Sequence, residues 1–90
     1  LEGLTRSVAL EAIQNGVRIN AVAPGVTWTS RWKERENSNP NIRKEVEADI
    51  PIMRFAIESE IVNAIEWLCC EKSSYVVGHT LVVDGGLSLT

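Results

Sequence analysis

The sequence has few of the features that hold small secreted or membrane proteins together. Its 90 residues include only two cysteines, Cys69 and Cys70, and adjacent cysteines suit neither a disulfide framework nor a C-x-x-C metal or redox pair. No apolar run approaches the roughly 20 residues that span a bilayer, and no basic-then-apolar signal pattern opens the chain. We therefore expect an intracellular protein without a membrane span, in the cytoplasm or, as the alternative, in an organelle.

A surplus of positive charge is missing as well. Nine basic and twelve acidic side chains give a net charge of −3. Nucleic-acid binding proteins gather phosphates with basic surfaces, so no nucleic-acid partner is expected. His79 is the single histidine, and we predict no metal site.

Apolar spacing predicts three helices. The strongest patterns lie in residues 1–15 and at about 59–70, where Ser59 is the expected N-cap and Glu60 stands in the first turn. A shorter helix is expected after Asn39-Pro40 and must end before Pro51, because the residue before proline is pushed out of the α region. No element is assigned to the polar segment 27–41 ahead of it.

Branched residues predict two strands. The first covers residues 17–22 and is stopped by Pro24-Gly25, since proline lacks the ladder N–H and glycine permits a sharp turn. The second, residues 80–83, is a continuous apolar run typical of a strand covered on both faces. Helix, strand, long helical crossover and strand is the order typical of a parallel α/β sheet.

Two strands do not make a stable sheet by themselves, and a chain of this size buries too little surface for easy independent folding. The missing strands must come from upstream sequence or from another chain. Residue 1 is Leu1, where an initiator methionine would stand in a complete chain. We therefore predict that residues 1–90 are the C-terminal part of a doubly wound, parallel-sheet (Rossmann-like) α/β domain.

Two motifs carry a resemblance to a known family: residues 17–25 followed by Thr29, and residues 82–86. With segments 4–11 and 73–78 they follow the order and the gaps of the short-chain dehydrogenase/reductase family, which the chain resembles over essentially its whole length. Within the family, the sequence is most similar to 3-oxoacyl-acyl-carrier-protein reductase-like and peroxisomal reductase-like members. The resemblance implies a Rossmann-fold oxidoreductase that transfers a hydride between NAD(H) or NADP(H) and a small-molecule carbonyl or alcohol.

The resemblance places the loop after the first strand along the nicotinamide end of the cofactor. Sheets of this class bind ligands outside the carboxyl ends of their strands, and glycine lets the backbone approach a ligand closely. Backbone N–H groups near Val26 and Thr27 would pair with the carboxamide, and the Thr29 hydroxyl with carboxamide or pyrophosphate oxygens. The expected cofactor-binding residues are Pro24, Gly25, Val26, Thr27 and Thr29. Without the resemblance, Pro24-Gly25 indicates only a turn.

The family's acid/base pair is absent from the chain. That chemistry uses a tyrosine with a lysine four residues later, whereas Tyr75, the only tyrosine, is followed at that distance by His79. No G-x-G-x-x-G phosphate loop is present either. We therefore assign no catalytic residue, expect the tyrosine and lysine upstream of Leu1, and expect the 90 residues alone to be inactive.

The resemblance also implies a substrate lid at residues 27–58. Trp28 and Trp32 lie one helical turn apart and would form an apolar wall against the substrate; the alternative is that they pack against a neighbouring helix. A homodimer or homotetramer is expected through the helix at 59–70 and the strand ending near Asp84. The alternative function is a non-catalytic truncated product or pseudoenzyme that binds a full-length relative.

Overall fold

The computed structural model of the protein describes residues 2–90. The helices are α1 (Glu2–Ile13), α2 (Ser30–Ser38), α3 (Ile42–Glu47) and α4 (Glu58–Cys69), and the strands are β1 (Ala21–Pro24) and β2 (Thr80–Val83). Short 3-10 turns follow α4 at Glu71–Ser73 and β2 at Leu87–Leu89. The predicted first helix is therefore confirmed over residues 2–13, and residue 1 lies outside the described residues.

The two strands pair in parallel, as predicted for an α/β fold. Ala21 lies opposite Thr80 and Pro24 opposite Val83, and the long crossover between them carries α2, α3 and α4. The predicted bounds of the first strand were wrong, because the ladder begins at Ala21 and includes Pro24. Proline is tolerated there because the next hydrogen bond of the ladder comes from Gly25 N–H to Val83 O, at 2.9 Å.

Before Ala21, side-chain hydrogen bonds add to a backbone bond from Gly78 N–H to Ile19 O at 2.9 Å. The Arg18 guanidinium donates to the carbonyls of Ser73 (2.9 Å), Val76 (3.2 Å) and Cys70 (3.2 Å) and to the Ser73 hydroxyl (3.3 Å). Asn20 donates to Val76 O at 3.1 Å and accepts from His79 N–H at 2.9 Å. These bonds join the approach to β1 to the connection from α4 to β2 and so set the register of the strands.

The crossover contains one helix that the sequence pattern did not predict. α2 (Ser30–Ser38) is almost entirely polar and charged, so it offers no apolar stripe to recognise. The predicted short helix is present as α3, beginning at Ile42, and Ile50 of its expected stripe lies beyond its end, where it is buried.

The expected N-cap of α4 was also wrong. The helix begins at Glu58, after the cap residue Ile57, so Ser59 lies inside the first turn. The Glu60 carboxylate reaches back to accept the Ile57 N–H at 3.0 Å, which satisfies an otherwise unpaired donor at the start of the helix. The start of α4 is thus held by the carboxylate of Glu60, on the third residue of the helix.

The described residues have a small core and much exposed apolar surface. Ala9, Ile50, Phe55 and Leu68 are the buried apolar side chains, whereas Val82, in the middle of β2, is 46% exposed. The prediction that this strand is covered on both faces is therefore wrong for residues 2–90 taken by themselves. Within that range no helix combines the length and the apolar character that crossing a membrane requires.

Candidate cofactor site at the strand ends

The loop after β1 lies against the end of β2. Because the strands are parallel, their carboxyl ends meet at one edge, where residues 25–29 follow β1 and Asp84 follows β2. A Cβ built on Gly25 would lie only 2.6 Å from Asp84 Cα and 2.7 Å from Asp84 Cβ. No side chain fits in that space, so glycine is required here by close approach of two backbone segments.

Asp84 holds the turn on the other side of this contact. Its carboxylate accepts the N–H of Ser88 at 2.9 Å and that of Gly86 at 3.0 Å. The hydrogen bond from Ser88 is the main reason that the pKa of Asp84 lies below its ordinary value. The charged carboxylate therefore fixes the chain end beside the Gly25 loop.

Backbone pairing closes the neck of the predicted lid. Trp28 N–H donates to Ala56 O at 2.9 Å, and Ala56 N–H donates to Val26 O at 2.9 Å, which forms an isolated parallel bridge between Thr27 and Ala56. The two ends of segment 28–55 therefore lie next to each other, directly beside the Gly25 loop. The sequence signals gave no indication of this bridge, because a single pair of residues has no periodicity.

Three hydrogen-bonding groups of the loop have no partner within residues 2–90. They are the N–H groups of Val26 and Thr27 and the hydroxyl of Thr29, which is the N-cap of α2 yet makes no capping bond. The Thr27 hydroxyl donates weakly to Gly25 O at 3.4 Å, so it is directed toward its own loop. Unpaired donors at a sheet's carboxyl edge are suited to polar ligand atoms.

Trp28 and Trp32 enclose the buried ring of Phe55. The Trp28 and Trp32 ring centroids lie 5.0 Å and 5.1 Å from that of Phe55, both edge-to-face. The Arg43 guanidinium stands 4.3 Å over Trp28 and that of Arg35 stands 4.9 Å over Trp32. The indoles pack on Phe55 rather than only on a helix, and they remain half-buried. Their contact with a substrate stays a prediction.

The last part of the lid, near Ile52, contacts the glycines that follow Asp84. Ile52 N–H donates to Gly85 O at 3.1 Å, and a groove of about 470 Å³ runs along this contact. Met53, next to it, has a φ of 66°, the only positive φ of a non-glycine residue in the range 2–90. Such a conformation costs a side-chain-bearing residue about 1–2 kcal/mol, so this segment is held in strain by its surroundings.

Tyr75 and His79 do not join the site. Both precede β2 and therefore lie at its amino end, opposite the Gly25 loop, and the Tyr75 side chain is fully exposed. In the described part of the chain no three His, Cys, Asp or Glu side chains gather as metal ligands would. Neither Tyr75 nor His79 is therefore placed to act as a general acid or base beside the loop.

Comparison with known proteins shows the family of the chain. The family model described as enoyl-(acyl carrier protein) reductase matches residues 1–88. The chain belongs to the short-chain dehydrogenase/reductase family. It is 37% identical over 89 residues to an uncharacterized oxidoreductase, YohF, of Escherichia coli K12, and this match covers 99% of the chain and 34% of the relative. The chain thus spans about a third of the length of the curated relatives it matches.

Solved relatives of the short-chain dehydrogenase/reductase family share the fold. An oxidoreductase of this family from Burkholderia thailandensis matches with a TM-score of 0.91 and 31% identity, covering 99% of the chain and 35% of that structure. A 4-hydroxyisoleucine dehydrogenase complexed with NADH matches with a TM-score of 0.86 and 27% identity, over 99% of the chain and 36% of that structure. These matches confirm the predicted Rossmann-like α/β class.

Proposed function

We propose that this chain is the C-terminal part of an NAD(P)(H)-dependent oxidoreductase and that its Gly25 loop holds the nicotinamide end of the cofactor. The observation that carries the proposal is the set of unpaired donors on Val26, Thr27 and Thr29 beside the Gly25–Asp84 contact. The family relationship and the NADH-bound relative support it. When bound, the cofactor supplies or accepts the hydride.

In this proposal the chain orients the cofactor and does not move the proton. The N–H groups of Val26 and Thr27 donate to the carboxamide oxygen of the nicotinamide. The Thr29 hydroxyl pairs with a carboxamide or pyrophosphate oxygen of the cofactor. Gly25 brings this backbone close because it places no side chain between the loop and Asp84, and Pro24 ends β1 directly before it. The lid of residues 27–58 covers a small carbonyl or alcohol substrate, with Trp28 and Trp32 on its apolar side.

The open side of β1 supports the presence of further strands in the functional protein. Within residues 2–90, β1 pairs only with β2, and a groove of about 640 Å³ lined by Val22, Ile65 and Leu68 lies between β1 and α4. A neighbouring strand and the element that packs on it would cover this apolar surface. The tyrosine and lysine of the family's acid/base pair would belong to that missing part.

The oligomer prediction concerns α4 and β2. Trp67 of α4 and Val82 of β2 are each more than 40% exposed, so apolar surface is available on both elements. A homodimer or homotetramer would bury it. Val82→Glu in the complete gene product should lower the oligomeric state, measured by light scattering, and an unchanged oligomer with an unchanged unfolding temperature would contradict this interface.

The function is tested by cofactor oxidation with the complete gene product. We expect NADH or NADPH oxidation with carbonyl substrates, and we expect Gly25→Ala to raise the cofactor KM sharply because its Cβ overlaps Asp84. Gly3→Ala is the matched control, since a Cβ there meets nothing within 4 Å. A complete product that binds neither cofactor would overturn the proposal and favour the non-catalytic alternative, in which the chain binds a full-length relative.

A further inference from the structure

Most basic side chains of the chain lie in the lid. Six of its nine basic side chains lie between Arg31 and Arg54, although the chain as a whole has a net charge of −3. Two of the three remaining basic residues, Arg6 and Arg18, precede β1. Six acidic side chains also lie within residues 27–58, so the lid has no net charge. An anionic ligand would therefore be recognised by an individual cation whose charge the protein does not already pair.

Among these cations, Arg43 is held next to the cofactor loop. Its guanidinium stands 4.3 Å over the Trp28 ring, and Trp28 directly follows Thr27. The Trp28 backbone is fixed by its hydrogen bond to Ala56 and its ring by Phe55, 5.0 Å away. Stacking on a fixed ring restricts the guanidinium before any ligand arrives, which lowers the entropy lost on binding.

The charge of Arg43 is only weakly used by the protein. Within residues 2–90 its one ion-pair partner is Glu47, with Nε–Oε2 at 3.8 Å, and its side chain is 47% exposed. Its two terminal nitrogens make no hydrogen bond in that range. Arg54, by contrast, is occupied by Glu60 through two bonds of 2.7 and 2.9 Å. The terminal N–H groups of the Arg43 guanidinium are therefore available to a ligand beside the site.

We propose that Arg43 binds a carboxylate group of the substrate, so that the natural substrate is a carbonyl compound bearing a carboxylate. This inference rests on the proposed function. One planar guanidinium matches the two oxygens and the single charge of a carboxylate through paired N–H···O bonds. The stack on Trp28 places that anchor against the residue that follows Thr27 in the proposed nicotinamide loop.

The test compares substrates that differ only in charge. The complete gene product is assayed with a series of keto acids and with the methyl ester of each acid. For wild type, kcat/KM should favour the acids. Arg43→Met should lower kcat/KM for the acids by roughly 10- to 100-fold, as loss of a charge-assisted contact does, and leave the esters within about twofold. Arg43→Lys, which keeps the charge and loses the fork, should recover part of the loss.

Arg35→Met is the matched control. Arg35 is also stacked on a tryptophan, at 4.9 Å over Trp32, but belongs to the last turn of α2. Its removal should not change the acid-to-ester ratio. The inference is overturned if wild type shows no preference for acids, or if Arg43→Met lowers both substrate classes equally. The absence of any cofactor turnover in wild type would instead overturn the proposed function itself, and this inference with it.

Discussion

Replacing Arg18 by methionine should destabilise the protein through the connection between α4 and β2. The guanidinium makes four hydrogen bonds of 2.9–3.3 Å, to three carbonyls and one hydroxyl. The energies of these bonds do not simply add, because each of the three carbonyls still accepts a second hydrogen bond when the guanidinium is removed. The remaining donors are Ser73 N–H to Cys70 O, Val76 N–H to Ser73 O and the Asn20 amide to Val76 O. The loss is therefore that of one charged donor group, about 2–3 kcal/mol.

The assay is chemical and thermal unfolding of the complete gene product. For a protein of the size of its relatives, about 2 kcal/mol corresponds to a decrease in Tm of roughly 4–8 °C. Arg18→Lys should lose less, because an ammonium keeps the charge but not the planar fork. Arg31→Met, on the exposed surface of α2, is the control and should change stability by less than about 0.5 kcal/mol. If Arg18→Met behaves like this control, the network does not set the strand register.

Three further predictions concern the lid. Met53→Gly should raise the free energy of unfolding by about 0.5–1 kcal/mol. Glycine removes the backbone strain of a φ of 66°, and the Met53 side chain that is lost is 62% exposed. A destabilised variant would contradict this conformation. Hydrogen bonds from Arg54 and from Ile57 N–H lower the pKa of Glu60 from 4.5 to about 2. The Glu60 carboxylate therefore stabilises the folded protein fully above pH 4.5, and this contribution is lost as the pH falls to about 2. Unfolding of wild type and Glu60→Gln should therefore differ at neutral pH and converge in that window, and a constant difference down to pH 2 would be inconsistent with the pair. Alanine at both Trp28 and Trp32 should raise the substrate KM in steady-state kinetics if the indoles form the apolar wall, and an unchanged KM would leave them the packing role on Phe55 alone.

Much of the fold could be predicted because strong periodic patterns carry it. Residues 80–83 and the helix near 59–70 were placed within about two residues, and the parallel arrangement followed from the order of elements. α2 was missed because every residue of Ser30–Ser38 except Trp32 is polar or charged, which leaves no apolar stripe to recognise. The first strand was set too early because the stretch before Ala21 pairs through an isolated backbone bond, from Gly78 N–H to Ile19 O, and through the side chains of Arg18 and Asn20.

The site was predictable only in part. Gly25 and the loop after it follow from the resemblance and from the rule that ligands bind at strand ends, and the unpaired donors lie where that rule expects them. The contact with Asp84 and the bridge from Thr27 to Ala56 depend on residues that are 59 and 29 positions apart. No local pattern encodes such contacts. The stacking of Arg43 on Trp28 is of the same kind.

The central claim is that the free N–H groups of Val26 and Thr27 hold the nicotinamide end of the cofactor. Amide hydrogen exchange on the complete gene product, with and without NADH or NADPH, tests it directly. Exchange at Val26 and Thr27 should slow when cofactor binds, while Trp28, whose N–H is already bonded to Ala56 O at 2.9 Å, should change little. Cofactor binding with no change at Val26 and Thr27 would contradict the account.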